Sequence, residues 1–125
     1  MSRNCSFVFF VDNSFESIKL ISYNVNCLKI EDEKYKIIRS EAPDFLRSYT
    51  GPGWDIIFID PPYKIESGIM REIFNILSEK KITRADTLIV YEYFFKKDIK
   101  KETENLRNIK QSHFGDKEVV YLSPF

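Results

Sequence analysis

The stretch WDIIFIDPPY, Trp54 to Tyr63, decides the fold class. Its apolar run, Ile56 to Ile59, is typical of a short strand buried on both faces of a sheet. The run ends in Asp60-Pro61-Pro62-Tyr63. Each proline fixes its own φ angle, lacks a backbone N–H and restricts the residue before it, so the strand cannot continue and the turn is stiff. A strand buried on both faces is typical of the parallel sheet of an α/β protein, whose ligands bind beyond the carboxyl ends of its strands.

Strand and helix patterns alternate on both sides of this strand. Before it, the patterns predict a strand at 7–11, a helix carrying Ile18, Ile21, Val25 and Leu28, a strand at 35–38 and a brief helix begun by Pro43. After the strand at 56–59, they predict a helix carrying Ile69, Ile73, Ile76 and Leu77, and then a strand at 87–95. The chain then continues with a predicted helix between Asp98 and Asn108 and a hairpin that turns at Gly115-Asp116. This order predicts an α/β fold with a mainly parallel sheet and a C-terminal antiparallel hairpin. Residues 1–125 are expected to form a single domain.

Composition excludes several classes of protein. Net charge is zero and 43% of the residues are hydrophobic, as in ordinary globular proteins. Cys5 and Cys27 form no CxxC pair, so we expect neither a disulfide scaffold nor a metal site. With no signal peptide and no bilayer-long apolar run, the predicted location is cytoplasmic, without a membrane partner. Two basic clusters are read as solvated surface in preference to phosphate-binding patches: Lys96, Lys97, Lys100, Lys101, Arg107 and Lys110, and Lys80, Lys81 and Arg84.

The Asp-Pro-Pro-Tyr turn has a chemistry of its own. The Asp60 carboxylate and the Pro61 carbonyl are hydrogen-bond acceptors, and Pro62 has no N–H that would compete for that carbonyl. Two acceptors without a donor suit an exocyclic amino group, which offers two N–H donors. Tyr63 adds a flat ring on which a nucleobase can stack, worth roughly 1–3 kcal/mol. The alternative is a rigid acidic turn under an aromatic lid, with no ligand.

Several segments together resemble one family, the S-adenosylmethionine-dependent methyltransferases of the RsmD type, which methylate the N2 amine of guanine in small-subunit ribosomal RNA. FFVDNSFESIKLISYNVNCL resembles the second strand and following helix of the family, and YKIIRSEAPDFL resembles its third strand and turn. WDIIFIDPPY is similar to its catalytic loop, TLIVYEYF to its fifth strand and FGDKEVVYL to its terminal hairpin. The resemblance covers nearly the whole chain and implies a Rossmann-like methyltransferase sheet.

The resemblance also implies roles for individual residues. Asp12 corresponds to the acid that binds the ribose hydroxyls of S-adenosylmethionine, although it could simply cap the helix after it. Glu41 and Ala42 lie where the family contacts adenine, with ordinary exposed surface as the alternative for Glu41. The target amine is assigned to Asp60, Pro61, Pro62 and Tyr63. For Glu92 a structural role is favoured, and the lone His113 is given no catalytic role.

One element of the family has no counterpart here, the strand and Gly-rich turn that cradle the methionine half of the cofactor. The four glycines, Gly51, Gly53, Gly68 and Gly115, do not follow an N-terminal strand. We therefore expect a domain that lacks the first strand and helix. Because that strand would lie between those ending in Asp12 and Asp60, these two strands should pair directly or leave open edges, with lowered stability and self-association.

Three functions follow as hypotheses. The first is guanine-N2 methylation of ribosomal RNA, with the RNA or the small ribosomal subunit as partner. The second keeps the chemistry but places it on the N6 amine of adenine in DNA, which the motif does not distinguish. The third is a non-catalytic remnant or fragment of such an enzyme.

Overall fold

The computed structural model describes residues 6–61, 67–79 and 82–124. They divide into two compact units, 1–48 and 49–125. The elements are β1 (Val8–Asp12), α1 (Phe15–Cys27), a 3-10 turn (Asp32–Lys34), β2 (Tyr35–Arg39), α2 (Ala42–Ser48), β3 (Trp54–Ile59), α3 (Ser67–Glu79), β4 (Thr83–Phe94), β5 (Leu106–Phe114) and β6 (Lys117–Pro124). Except for the helix predicted between Asp98 and Asn108, each predicted element is present.

The first unit is a small parallel pair of strands with its helices. β1 and β2 run parallel, and the opposed residues include Asp12 and Arg39 at the carboxyl ends of the strands. Ser14 caps α1, because its hydroxyl accepts a hydrogen bond from the backbone N–H of Ser17 at 3.3 Å. Val25 on α1 is buried. The strand–helix–strand prediction for this part of the chain is therefore confirmed.

The second unit contains a four-stranded sheet in the order β3-β4-β6-β5. β3 runs parallel to β4, whereas β6 runs antiparallel to both β4 and β5. The predicted closing hairpin is confirmed, since Gly115 and Asp116 are the turn between β5 and β6. Gly115 has a φ of +62°, which the first position of such a two-residue turn requires and which glycine adopts without strain.

The core of the second unit lies between α3 and one face of the sheet. Helical spacing places Met70, Ile73, Phe74 and Leu77 on the buried side of α3. Alternate residues of β4 are buried with them, and the Phe74 ring meets the ring of Tyr91 at a centroid distance of 5.1 Å. Each of these large side chains contributes about 1.5–3 kcal/mol by leaving water.

The helix predicted between Asp98 and Asn108 is wrong. Residues 100–105 form turns, and β5 already begins at Leu106. The reason is a tertiary contact, because Glu102 is buried in this segment and accepts a hydrogen bond from the Tyr91 hydroxyl at 3.0 Å. Lys97 brings its ammonium group to within 3.0 Å of the second carboxylate oxygen of Glu102. These contacts hold the segment against the sheet and override its local helix propensity.

In the described part of the chain, the β1–β2 pair and the four-stranded sheet are both open at their edges, and β1 and β3 are edge strands. β1 pairs with β2 alone and β3 pairs with β4 alone, so β1 and β3 belong to different sheets. The sequence predicts that these strands either pair directly or leave open edges, and in the described part of the chain they leave open edges. Two large apolar side chains of β3 are exposed, Ile56 at 52% and Phe58 at 75%. In the described ranges, the helices are all too short or too polar to cross a bilayer.

Candidate functional site

Asp12 is the last residue of β1, as the sequence predicts. It is partly buried, and its carboxylate Oδ1 accepts a hydrogen bond from the backbone N–H of Ser14 at 2.8 Å. Its backbone carbonyl accepts from the N–H of Ser40 at 3.0 Å, which ties the ends of β1 and β2 together. Asp12 is not the cap of α1, which is Ser14; its contact with the backbone N–H of Ser14 engages one oxygen of the carboxylate.

Glu41 lies at the neighbouring strand end and is joined to the Asp12 region by Asn13. The side-chain amide of Asn13 donates to Glu41 Oε1 at 2.8 Å. Its backbone carbonyl accepts from the Arg39 guanidinium at 3.3 Å. The structure thus brings Asp12, Glu41 and the adjoining Ala42 to one rim of the first unit. Asn13 is not among the residues predicted for the site, although a second polar residue directly after Asp12 was the available signal.

Glu41 directly precedes the short helix α2. Its carbonyl accepts from the Phe45 N–H at 3.0 Å and from the Ser40 hydroxyl at 2.9 Å. Ala42 is the first residue of α2 and is half-buried. The backbone of Glu41 is thereby held, whereas its carboxylate is exposed and can accept hydrogen bonds from a ligand.

Asp60 and Pro61 belong to the second unit and follow β3 directly. Asp60 is exposed and Pro61 is half-buried. Within the described ranges, no residue donates a hydrogen bond to the Asp60 carboxylate, which leaves its oxygens available to a bound molecule. Pro62 and Tyr63 lie outside the described residues, so their predicted roles stay predictions.

Glu92 has a structural contact. Its carboxylate lies 2.9 Å from the ammonium group of Lys117, which is on the adjacent strand β6. Both side chains are about one-third exposed, so the ion pair contributes modestly to stability. This contact supports the structural role that the sequence analysis favoured for Glu92.

A second polar network lies where β4, β5 and β6 meet. The Tyr93 hydroxyl donates to Glu118 Oε2 at 3.1 Å and accepts from the Gln111 amide at 2.7 Å. Burial, followed by the hydrogen bond to Glu118, raises the pKa of Tyr93 to about 12. The Gln111 and Tyr93 hydrogen bonds hold the pKa of Glu118 below its usual range. His113 Nδ1 lies 3.4 Å from Glu118 Oε1, which gives this histidine a place in the hairpin network.

The late basic cluster divides into two kinds of lysine. Lys97 is mostly buried, and its ammonium group contacts both Glu102 and the Tyr91 hydroxyl, the latter at 3.1 Å. Burial, together with the neighbouring Glu102, raises the pKa of Tyr91 strongly. Lys96, Lys100 and Lys101 are exposed instead. The cluster is therefore not one uniform surface.

Comparison with known proteins identifies the family. The family model described as "Conserved hypothetical protein 95" matches residues 1–123. The chain belongs to this family. The resemblance to RsmD-type methyltransferases drawn from the sequence is thereby confirmed.

A curated relative and two solved structures extend this result. The ribosomal RNA small subunit methyltransferase D of Buchnera aphidicola is 28% identical over 99 residues, which are 79% of this chain and 50% of that protein. A candidate methylase from Haemophilus influenzae superposes with a TM-score of 0.79 at 22% identity, covering 98% of this chain and 75% of that one. A candidate methyltransferase from Escherichia coli gives 0.77 at 20% identity, covering 98% and 65%.

The structural matches confirm the predicted Rossmann-like α/β fold. The chain spans about half the length of the curated relative that it matches.

Proposed function

We propose that this chain takes part in the transfer of a methyl group from S-adenosylmethionine to the exocyclic amine of a nucleobase, and that the amine is N2 of guanine in small-subunit ribosomal RNA. The observation that carries the proposal is the exposed Asp60 carboxylate at the carboxyl end of β3, followed directly by the Pro61 carbonyl. Family membership supports the same chemistry.

The residues of the first unit fit the adenosyl half of S-adenosylmethionine. Asp12 has one carboxylate oxygen engaged by Ser14, which leaves the other to accept from a ribose hydroxyl. Glu41 is positioned by Asn13 and offers a further acceptor, for the adenine amine. Ala42 adds an apolar surface beside it. S-adenosylmethionine, when bound, supplies an electrophilic methyl group on a sulfonium centre.

Asp60 and Pro61 are proposed to bind the target amine. The Asp60 carboxylate and the Pro61 carbonyl each accept a hydrogen bond from the amine. These two hydrogen bonds fix the orientation of the amine, so that the lone pair of its nitrogen is directed at the methyl carbon. Positioning of this kind supplies roughly 7–11 kcal/mol in well-oriented reactions. As the amine becomes positively charged, the carboxylate stabilises it and can accept the proton that it loses. Tyr63 is the predicted stacking partner for a base unstacked from the RNA.

The choice of ribosomal RNA over DNA rests on the relative from Buchnera aphidicola, whose name states a ribosomal RNA small subunit methyltransferase. The hydrogen-bond acceptors of Asp60 and Pro61 would serve the N6 amine of adenine equally well. The test is incubation of the protein with methyl-labelled S-adenosylmethionine and either unmethylated small ribosomal subunits or DNA, followed by separation of the nucleosides. We expect label in N2-methylguanosine. Label in N6-methyladenine would support the DNA alternative, and no transfer with no cofactor binding would support a non-catalytic chain.

Replacement of Asp60 tests the mechanism. We expect Asp60→Ala to lower methyl transfer by at least about 100-fold, similar to the loss of one preorganised group that stabilises transition-state charge. Affinity for S-adenosylmethionine, measured by titration calorimetry, should change little, because the proposed cofactor residues lie at the end of β1 and between β2 and the start of α2. Asp55→Ala is the matched control, since Asp55 is an exposed acid on the same strand, paired with Arg84. Equal activity of the Asp60 and Asp55 variants would contradict the assigned role.

A further inference from the structure

An exposed aromatic cluster lies where β4 ends beside the β5–β6 turn. Phe95 follows the last residue of β4 and is 41% exposed. Its backbone N–H donates to the Asp116 carbonyl at 3.1 Å, which fixes the strand end to the turn. The His113 ring stands edge-on to the Phe95 ring, with centroids 5.9 Å apart and planes at 88°. The Lys96 ammonium group lies 5.6 Å from the centroid of the Phe95 ring.

This cluster adds little to the core of the second unit. The buried aromatic rings of that core are those of Phe74, Tyr91 and Tyr93. Phe95 is 41% exposed, its ring stands edge-on to that of Phe94 with centroids 5.0 Å apart, and its backbone is held by the turn. A fixed ring with an open surface, a cation beside it and a second ring at its edge has the composition of a site that stacks a nucleobase.

The cluster lies at the same rim of the sheet as Asp60. Ile59 pairs with Tyr91 across the parallel β3–β4 ladder, so Asp60 reaches the level of Glu92. Phe95 lies one strand across and three residues further along. With strands about 4.8 Å apart and a rise of about 3.3 Å per residue, the two backbone positions are on the order of 10 Å apart. That separation suits a nucleotide that neighbours the target in the same strand.

Charge around the cluster favours a polyanion. Lys96, Lys100 and Lys101 are exposed, and in the described part of the chain no acid forms an ion pair with any of the three. Lys97 and Lys117 are different, because each is paired with a glutamate. The three lysines lie on the segment that follows Phe95, where Asp98 stands between them and accepts a hydrogen bond from the backbone N–H of Lys100. Their exposed ammonium groups are available to the phosphates of a nucleic-acid strand.

We infer that Phe95, His113 and Lys96 form a stacking site for an unpaired RNA nucleotide flanking the methylated one, with Lys100 and Lys101 binding its phosphates. This inference rests on the proposed function for the choice of RNA as the ligand. RNA modules commonly bind splayed-out bases on aromatic side chains in this manner. The site is separate from the amine-binding acceptors, so it sets RNA affinity and register and takes no part in the chemical step.

Binding of a fluorescein-labelled, single-stranded RNA decamer, followed by anisotropy, tests the site. Phe95→Leu keeps an apolar side chain but removes the ring, and we expect it to weaken binding at least fivefold, since stacking on one base is worth about 1 kcal/mol or more. Phe95→Tyr should bind as the unaltered chain does. Ile109→Ala is the control, because Ile109 is an exposed apolar residue of β5 outside the cluster. Unchanged binding by Phe95→Leu, an equal loss in the Ile109 variant, or no RNA binding by the unaltered chain would overturn the inference.

The lysines are tested through salt dependence. The double variant Lys100→Gln, Lys101→Gln should reduce the slope of log affinity against log salt by about one to two, whereas Lys34→Gln, Lys36→Gln in the first unit should not. An equal slope in the two doubles would overturn the phosphate assignment. Methyl transfer by the unaltered chain, assayed on the same preparation, separates this inference from the proposed function. RNA binding that depends on Phe95, without any methyl transfer, would refute the proposed function and support the stacking site. Methyl transfer together with RNA binding that does not depend on Phe95 would support the proposed function and refute the stacking site.

Discussion

At the scale of single residues, the buried carboxylate of Glu102 holds an irregular segment of the second unit against the sheet. Glu102 lies in an irregular segment, yet it receives the Tyr91 hydroxyl on one oxygen and the Lys97 ammonium group beside the other. Lys97 also donates to the Tyr91 hydroxyl, so the three groups form a closed triangle. A buried charge of this kind is tolerated only while its partners are in place.

We predict that Glu102→Ala lowers the free energy of unfolding by about 3 kcal/mol, the lower end of the range for a broken buried ion pair. The lower end applies because Lys97 is still partly exposed and can turn its ammonium group toward water. Urea unfolding followed by circular dichroism measures the change. The double variant Lys97→Met, Glu102→Leu should recover much of the loss, since it leaves no charge without a partner. A double variant as unstable as Glu102→Ala would show that packing, and not charge, holds the segment.

The acids at the strand ends could be predicted from the sequence, but the hydrogen bonds that connect them to distant residues could not. Asp12, Glu41 and Asp60 could be predicted because each follows a recognisable apolar strand, or the turn after one, at the carboxyl end. The Asn13–Glu41 hydrogen bond joins residues 28 positions apart and depends on the register of β1 and β2, which no local pattern contains. The same holds for Glu102, whose contact with Tyr91 was invisible in a lysine- and glutamate-rich segment.

At the scale of elements, the hairpin turn is the clearest case of sequence specifying geometry. Gly115 alone among the described glycines has a positive φ, and a methyl group there would meet no atom within 4 Å. Any penalty for a side chain at this position is therefore a backbone effect, without a steric clash.

We predict that Gly115→Ala lowers the free energy of unfolding by about 1–2 kcal/mol, the cost of holding an L-residue at positive φ. Gly68→Ala is the matched control. It also meets no atom within 4 Å but lies in the first turn of α3, where alanine should be neutral or slightly stabilising. Thermal unfolding of both variants gives the comparison, and a similar loss in the two would argue against backbone strain at Gly115.

Strands could be predicted more reliably than the late helix for a physical reason. The strands of the second unit are buried on at least one face, so apolar alternation or a continuous apolar run marks them in the sequence. The connection between β4 and β5 has a polar surface in either conformation, and its shape depends on Glu102. Propensity alone therefore predicted the wrong element there.

At the scale of the whole molecule, the open β3 edge is the feature with the largest consequence. An unpaired edge with Ile56 and Phe58 exposed offers both hydrogen bonds and apolar surface to another strand. Natural proteins usually protect such edges with charges, prolines or a covering element. The self-association expected from the sequence can therefore be assigned to one surface, the β3 edge with Ile56 and Phe58.

We predict that the chain associates in a concentration-dependent manner and that Phe58→Lys reduces this association. The added lysine places charge on the edge and removes the most exposed apolar side chain of the strand. Sedimentation velocity over a series of concentrations measures the change. Leu20→Lys on α1 is the control, because Leu20 is also strongly exposed but lies on a helix. Persistent association of the Phe58 variant, or its absence in the unaltered chain, would contradict the prediction.

The strand order also has a consequence for biosynthesis. β4 lies inside its sheet only because β6, Lys117–Pro124, pairs along it from the far end of the sequence. β4 is therefore synthesised before its antiparallel neighbour, and until β6 pairs with it the N–H and C=O groups along one edge of β4 are open to other strands. The final residues of the hairpin thus act as a late closure of the sheet, and any premature stop codon before them would release a chain with β4 still uncovered.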